Sequence, residues 1–203
     1  MNFKTVAKLS ALVTMIAVGM AATAKAYEKN VNAKERPNPW VINGCEIKPK
    51  TICPNIDFRF ADLKQADLSG ADLRGAKFAR ADMRGINLIG ADLSGADLES
   101  ADMRISKLIR TKFIGASLRG ANLEFSRAMH ADMSHADLTA VNFEMVRAYY
   151  TQFVGAKIIN ANLQEAKFYD ANLSYAHIAN SKMTYAIWQG AFMEGCTGCP
   201  FNW

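Results

Sequence analysis

Residues 61–75 read Ala61-Asp62-Leu63-Lys64-Gln65, Ala66-Asp67-Leu68-Ser69-Gly70 and Ala71-Asp72-Leu73-Arg74-Gly75, three copies of one five-residue unit. In both directions the phase holds from Ile56 to Gly195, which is 140 residues and 28 units with no insertion. The third position is Leu twelve times, Phe six, Met five, Ile twice and Trp once, and only Ala128 and Ala148 are small. The first position is Ala in 19 of the 28 units and otherwise Ile, Val, Ser or Thr. Each unit therefore specifies one small and one large inward residue. A period of five suits neither an α-helix at about 3.6 nor a flat strand at about 2, because either would carry the large residues off any single face. A coiled wall keeps them inside if each pentapeptide forms one side and a corner, with positions two, four and five facing solvent. Gly at position five (Gly70, Gly75, Gly85, Gly90, Gly95, Gly115, Gly120, Gly155) suits a corner that needs positive φ.

These units resemble the pentapeptide-repeat family, whose motif is Ala-(Asp/Asn)-Leu-x-x. The resemblance implies an all-β fold, a right-handed β-helix of square cross-section (a quadrilateral solenoid) with four pentapeptides to a coil. About seven coils follow, and at ~4.8 Å between stacked strands the rod is about 34 Å long.

With four units to a coil, residues twenty apart stack into columns. One interior column runs Leu68, Leu88, Leu108, Ala128, Ala148, Phe168 and Trp188, so two coils lose volume on one side. The reading gives that space to Phe143 and Phe153, since a methylene-scale void costs about 1 kcal/mol or more.

The exterior of the same side carries the candidate site. Its second positions stack as Lys107, Arg127, Arg147 and Lys167, and its fourth as Ile89, Ile109, Met129, Tyr149 and Tyr169. The preceding corner adds Ile105, Phe125, Met145 and Tyr185, interrupted at Glu165. A cationic ladder is thus bordered by two apolar or aromatic stripes. Two readings are open. Like charges ~5 Å apart can sit in salty water with the tyrosines covering their stems. Alternatively the side is a recognition face, because aromatics with arginine dominate binding hot spots and exposed aromatic stripes are uncommon on soluble monomers. The second is preferred, with a protein strand, a glycan or a row of anionic groups as the extended partner. A contrasting side stacks Asp62, Asp82 and Asp102 beside Lys64, Arg84 and Arg104, which reads as a solvated salt-bridge lattice. Below it Asn122, Asn142 and Asn162 read as a structural polar stack.

Four cysteines flank the repeat. Cys45 and Cys53 precede the first coil and Cys196 and Cys199 follow the last, too far apart for one tetrahedral metal site. Disulfides Cys45–Cys53 and Cys196–Cys199, closing the two solenoid ends, are the economical pairing in an oxidising compartment. The rival is Cys196-Thr197-Gly198-Cys199 as a redox pair, although the βαβ context and helix start that activate such a thiol are missing. The aromatic group Trp188, Phe192, Phe201 and Trp203 is read as a cap over the last coil, with end-to-end homodimerisation as the alternative. His130, His135 and His177 fall on different corners or coils and do not form a ligand cluster. No Ser/His/Asp set and no phosphate-cradling loop stands out, so the chain is read as non-enzymatic, with no cofactor and no metal.

Residues 1–26 combine Lys4 and Lys8, an apolar run from Leu9 to Met20 and Ala24-Lys25-Ala26, which reads as a secretory signal peptide. The run of about a dozen residues is short for a membrane span, which needs roughly 20, so none is expected after cleavage. Residues 27–55 are read as a loose leader and N-terminal cap in which Trp40 and Val41 are the first to pack, 56–195 as the repeat and 196–203 as a C-terminal cap. The 203 residues carry a net charge of +5, and removal of Lys4, Lys8 and Lys25 leaves 21 basic against 19 acidic residues, or +2. That balance gives no reason to expect nucleic-acid binding. The expectation is an exported scaffold, periplasmic, secreted or in a thylakoid lumen, that binds along the Lys107–Lys167 side. Some cytoplasmic members of the family mimic duplex DNA and protect type II topoisomerases. That is the alternative reading, set against it by the signal segment and the basic side.

Overall fold

The computed structural model describes residues 36–200. The signal segment, the leader before residue 36 and the aromatic residues Phe201 and Trp203 lie outside the described residues. The chain divides into two units, Met1–Asn38 and Pro39–Trp203, and the repeat lies wholly in the second.

Each second residue of a pentapeptide pairs in parallel with the one twenty along: Asp62 with Asp82, Asp82 with Asp102, Asp102 with Asn122. Four pentapeptides therefore close one coil, and the wall is a β-helical solenoid. The strands are short because a corner follows every side. β1 (Val41–Ile42) pairs antiparallel with β2 (Cys45–Glu46), and β3 (Lys157–Ile159) pairs in parallel with β4 (His177–Ala179).

The hydrogen bonds explain the motif residue by residue. The amides of positions three and five donate to the next coil, as in Leu63 N to Asp82 O (2.8 Å) and Gln65 N to Arg84 O (2.9 Å). The amide of position two donates to the coil before, as in Asp82 N to Ala61 O (2.9 Å), and that of position one closes the corner, as in Ala66 N to Leu63 O (3.1 Å). Only the fourth amide is left over. Asp or Asn at position two accepts it: Asp67 Oδ1 from Ser69 N (3.0 Å), Asp97 Oδ1 from Glu99 N (3.0 Å), Asn122 Oδ1 from Glu124 N (3.0 Å). The Asp/Asn preference is thus an Asx turn serving the one donor that the ladder cannot.

Every fifth residue from Lys50 to Gly195 has positive φ, whether or not it is glycine. The glycines seen in the sequence understate the corner's demand. Phe125, Tyr185 and the β-branched Ile105 all sit at φ 60, a conformation that costs a non-glycine residue about 1–2 kcal/mol. The coil-to-coil bonds on either side of each corner hold it there.

Positions one and three are buried from Leu63 to Ile178 and only partly so at Ile56, Ala61, Met183, Ala186, Ala191 and Met193 in the end coils. Where Ala128 and Ala148 leave space, three rings converge: Phe143 lies 6.0 Å from Phe153 and 6.0 Å from Phe168, and Phe153 lies 5.7 Å from Phe168. Phe168 then stacks on Trp188 at 4.2 Å. The expected compensation by Phe143 and Phe153 is therefore present, with Phe168 from the next coil as a third member. Buried hydroxyls at position one are satisfied by carbonyls 23 residues back: Thr111 Oγ1 to Leu88 O, Ser126 Oγ to Met103 O and Thr151 Oγ1 to Ala128 O, each 2.7 Å. That bond is why Ser and Thr can replace Ala at this position.

Pairing extends past the 56–195 span at both ends, since Ile52 bridges Asp72 and Thr197 bridges His177. Cys53 accordingly occupies the third position of a first, unrecognised unit, Thr51–Asn55. The leader is also more ordered than its composition suggests. Asn43 (φ 51) and Gly44 (φ 83) make the tight turn of the β1–β2 hairpin, the Asn-Gly combination that matches strand twist. Trp40 and Ile42 pack on the core, whereas Val41 points outward and is 48% exposed.

Phe143→Ala should remove the centre of the ring cluster with no neighbour able to fill the gap, lowering stability by about 3–5 kcal/mol in urea unfolding.

Candidate partner-binding face

The acidic and basic columns of the contrasting side interlock. Lys64 lies 3.3 Å from Asp62 and 3.5 Å from Asp82, Arg84 lies 2.7 Å from Asp82 and 3.7 Å from Asp102, and Arg104 lies 2.7 Å from Asp102. Each arginine closes a fork on the aspartate two residues before it, and Arg84 also reaches Asp102 of the next coil. Below, Asn142 Nδ2 donates to Asn122 Oδ1 (3.2 Å) and Asn162 Nδ2 to Asn142 Oδ1 (3.1 Å), a continuous amide ladder. On this side position two therefore serves the fold twice, capping the turn and bonding its neighbour coil.

The candidate side breaks that pattern. Asp67 and Asn87, at its top, cap the amides of Ser69 (3.0 Å) and Ile89 (3.2 Å). The next four rungs are Lys107, Arg127, Arg147 and Lys167, bridged backbone to backbone in one column. A cation cannot accept an amide proton, and the amides of Ile109, Met129, Tyr149 and Tyr169 find no acceptor among the described residues. None of the four cations makes an ion pair among the described residues either, in contrast to Arg84 and Arg104. Here the sequence gives up four turn caps and stacks four like charges at the ~4.8 Å strand spacing, without a compensating contact.

An open groove of about 690 Å³ runs along this column. Arg127, Arg147, Lys167 and Ile187 line it from the side, and Phe125, Met145, Glu165 and Tyr185 line it from the preceding corner. Phe125 is 51% exposed and Tyr185 78%, because the left-handed corner turns fifth-position side chains outward. Of the residues anticipated for the face, the groove gathers Arg127, Arg147, Lys167, Phe125 and Met145. Lys107 continues the ladder but is not part of the lining. Met129, Tyr149 and Tyr169 form the opposite flank, where they are half-buried, and Tyr149 meets Tyr169 edge-on at 5.3 Å. Glu165, a gap in the apolar stripe by sequence, and Ile187, absent from the anticipated face, are both part of the lining. Both were legible as the rungs twenty residues beyond Met145 and Lys167.

At the ends, Cys45 is bonded to Cys53 (Cα–Cα 6.0 Å) and Cys196 to Cys199 (Cα–Cα 5.9 Å). Cys45 and Cys199 are buried, and Thr51 Oγ1 sits against both sulfurs of the first bridge. A Cβ on Gly198 would collide with the carbonyl oxygen of Ile178, so the turn between Cys196 and Cys199 fits against the coil only as glycine. The histidines stay apart: His130 stacks on Tyr150 at 5.0 Å, His135 lies beneath Gly155, and His177 Nδ1 is 2.6 Å from Thr197 Oγ1. Among the described residues no helix is long and apolar enough to cross a membrane.

Arginine forks hold carboxyls on three sides below their ordinary range: Arg59 brings Asp57 from 3.8 to about 2, and Arg74 and Arg84 lower Asp72 and Asp82. A carboxyl that is more acidic in the folded state stabilises that state above its unfolded pKa, and the contribution disappears as pH falls through the folded value. Denaturant midpoints should therefore be flat above about pH 5 and decline as pH falls through 3.8 toward about 2. D82N, which keeps the amide cap and removes the charge, should shrink that decline.

The model of the family described as pentapeptide repeats matches residues 50–79, 66–104, 106–144 and 151–187, with eight copies. Among solved structures, the chain is similar to HetL, a pentapeptide-repeat protein involved in heterocyst differentiation regulation in Nostoc sp. strain PCC 7120, at 25% identity over 72% of this chain and 89% of that one, with a TM-score of 0.36. It is similar to a pentapeptide-repeat protein of the Arabidopsis thaliana thylakoid lumen at 29% identity over 59% and 70% (TM-score 0.36). It is also similar to QnrB1, a plasmid-mediated fluoroquinolone resistance protein, at 18% identity over 72% and 84% (TM-score 0.45). No curated protein matches. The family match spans the same register that the backbone pairing sets, and the chain belongs to the pentapeptide-repeat family.

Proposed function

We propose that the chain is an exported, non-enzymatic scaffold, a right-handed square β-helix of about seven coils, that holds a partner along the groove beside Arg127, Arg147 and Lys167. One observation carries this reading. On this side alone, consecutive rungs exchange a turn-capping Asp or Asn for a cation, and the cations pair with nothing among the described residues. Elsewhere Asp57, Asp72, Asp82 and Asp102 each meet an arginine of the same unit, and the cations at position two, Lys77, Lys112, Lys157 and Lys182, stand singly rather than in a run. A substitution that removes a local hydrogen bond and adds like-charge repulsion works against stability, so its use lies outside the fold. Exposed Phe125 and Tyr185 beside the charges give the combination of aromatic and arginine that anchors interfaces.

Export is supported by the basic start, apolar run and Ala24-Lys25-Ala26 of the first 26 residues, and by four cysteines that are all bonded in pairs. The bridges act as covalent closures of ends whose last coils pair with no further strand among the described residues.

The test is the triple variant R127N/R147N/K167N, with a photo-crosslinking residue at Phe125, expressed in cells. Asparagine restores the acceptor for Met129, Tyr149 and Tyr169, so stability should hold or rise by about 0.5–1.5 kcal/mol per restored bond. Adducts formed by the parent should disappear from the variant. Undiminished adducts, or a variant less stable than the parent, would contradict the reading.

A further inference from the structure

Resting on that reading, we infer that the occupant of the groove is a linear polyuronate, a polysaccharide with one carboxylate on every sugar ring. Three features of the groove converge on this class.

The first is what the face lacks. In the contrasting lattice a carboxylate serves two donors at once: Asp82 Oδ1 accepts the amide of Arg84 (3.4 Å) while Asp82 Oδ2 accepts from Arg84 Nη2 (2.7 Å). On the groove side each rung keeps donors of both kinds, an unaccepted amide at Met129, Tyr149 or Tyr169 beside a cation at Arg127, Arg147 or Lys167. The missing component is one carboxylate per rung, brought from outside. Guanidinium groups are suited to take it in a two-bond fork.

The second is pitch. Bridged rungs repeat at ~4.8 Å. A peptide strand laid along the column presents same-face side chains every ~6.6–6.8 Å, so its acidic residues leave register after one or two rungs. A nucleic-acid strand brings a charge about every 3.4 Å of helix axis and winds away from a straight ladder. A pyranose ring spans about one rung and a uronate carries its charge on each ring, so carboxylates that recur on one face every second ring stay in step with every second rung, two rungs being ~9.6 Å.

The third is the wall. Phe125 and Tyr185 are exposed rings on the corner that borders the cations, and Met145 lies between them in the column. Flat aromatic surfaces pack against the C–H faces of sugars while their neighbours take the polar groups. The one groove residue of opposite sign is Glu165, whose Oε1 receives only a 3.4 Å contact from Gln164 Nε2. It repels a polyanion and sets a sign that can be tested.

The experiment titrates the full-length chain with polygalacturonate, with its fully methyl-esterified, uncharged form, and with poly-glutamate, by calorimetry at low and high salt. Polygalacturonate should bind, and esterification should weaken binding by at least about tenfold. R127Q/R147Q/K167Q should lose at least about tenfold, Y185A several-fold, and E165Q should bind several-fold more tightly. Poly-glutamate binding as well as polygalacturonate would overturn the inference in favour of an acidic peptide, with the face still a binding site. Polygalacturonate binding that none of the variants alters would overturn it as well, placing the polymer elsewhere on the rod. If neither polymer binds while the Phe125 crosslinker still captures a partner, the polyuronate is wrong and the face stands. Absence of both would remove both.

Discussion

Every column in the molecule exists because residue i+20 is bridged to residue i, its backbone N–H and C=O bonding the residues on either side of i. That register uses the amides of positions two, three and five, the corner uses that of position one, and the fourth is left without a partner. The rest of the unit answers to this arrangement. Position two caps the leftover amide, position three fills the interior, position one is small or bonds its hydroxyl backward, and position five accepts a left-handed corner. The corner is paid for by the ladder on both sides of it, which is why Phe, Tyr and even Ile105 can stand there.

Because the scaffold asks the same of every side, departures from its rule are informative. Asp62, Asp82 and Asp102 with their arginines satisfy the turn and one another. Lys107, Arg127, Arg147 and Lys167 satisfy neither. Single departures occur on the other sides, at Lys77, Lys112, Lys157 and Lys182, but four consecutive cations stand in this column alone among the described residues, beside a corner that carries Phe125, Met145 and Tyr185, and the groove follows them. In a solenoid this is how a surface is written: the interior fixes the geometry, and the outward residues of one column acquire a common direction and a common spacing.

Much of this was legible beforehand because the period is strict. Once twenty residues are taken as a coil, the salt-bridge lattice, the asparagine ladder and the rings around Ala148 follow by counting. The parts that were not legible are those where the period gives no signal. Thr51–Asn55 went unrecognised because Thr51, Cys53 and Pro54 do not look like the motif, although Ile52 pairs as if they did. The Val41–Glu46 hairpin was obscured by the charged residues before it, despite Asn43-Gly44 in its turn. Within the site, counting columns could not tell which apolar stripe shares a groove with the cations. That depends on the corner, whose positive φ swings Phe125 and Tyr185 outward, whereas fourth-position Tyr149 and Tyr169 fold onto the wall and each other.

The account rests on the fourth amide being served by the second side chain, and left bare where that side chain is a cation. Residue-resolved amide hydrogen exchange measures this directly. Glu124, Glu144 and Gln164, whose amides are accepted by Asn122, Asn142 and Asn162, should exchange slowly, whereas Met129, Tyr149 and Tyr169 in the same coils should exchange at rates close to those of an open turn. Equal protection in the two columns would show that the cations cost the fold nothing, and the argument for a recognition face would lose its foundation.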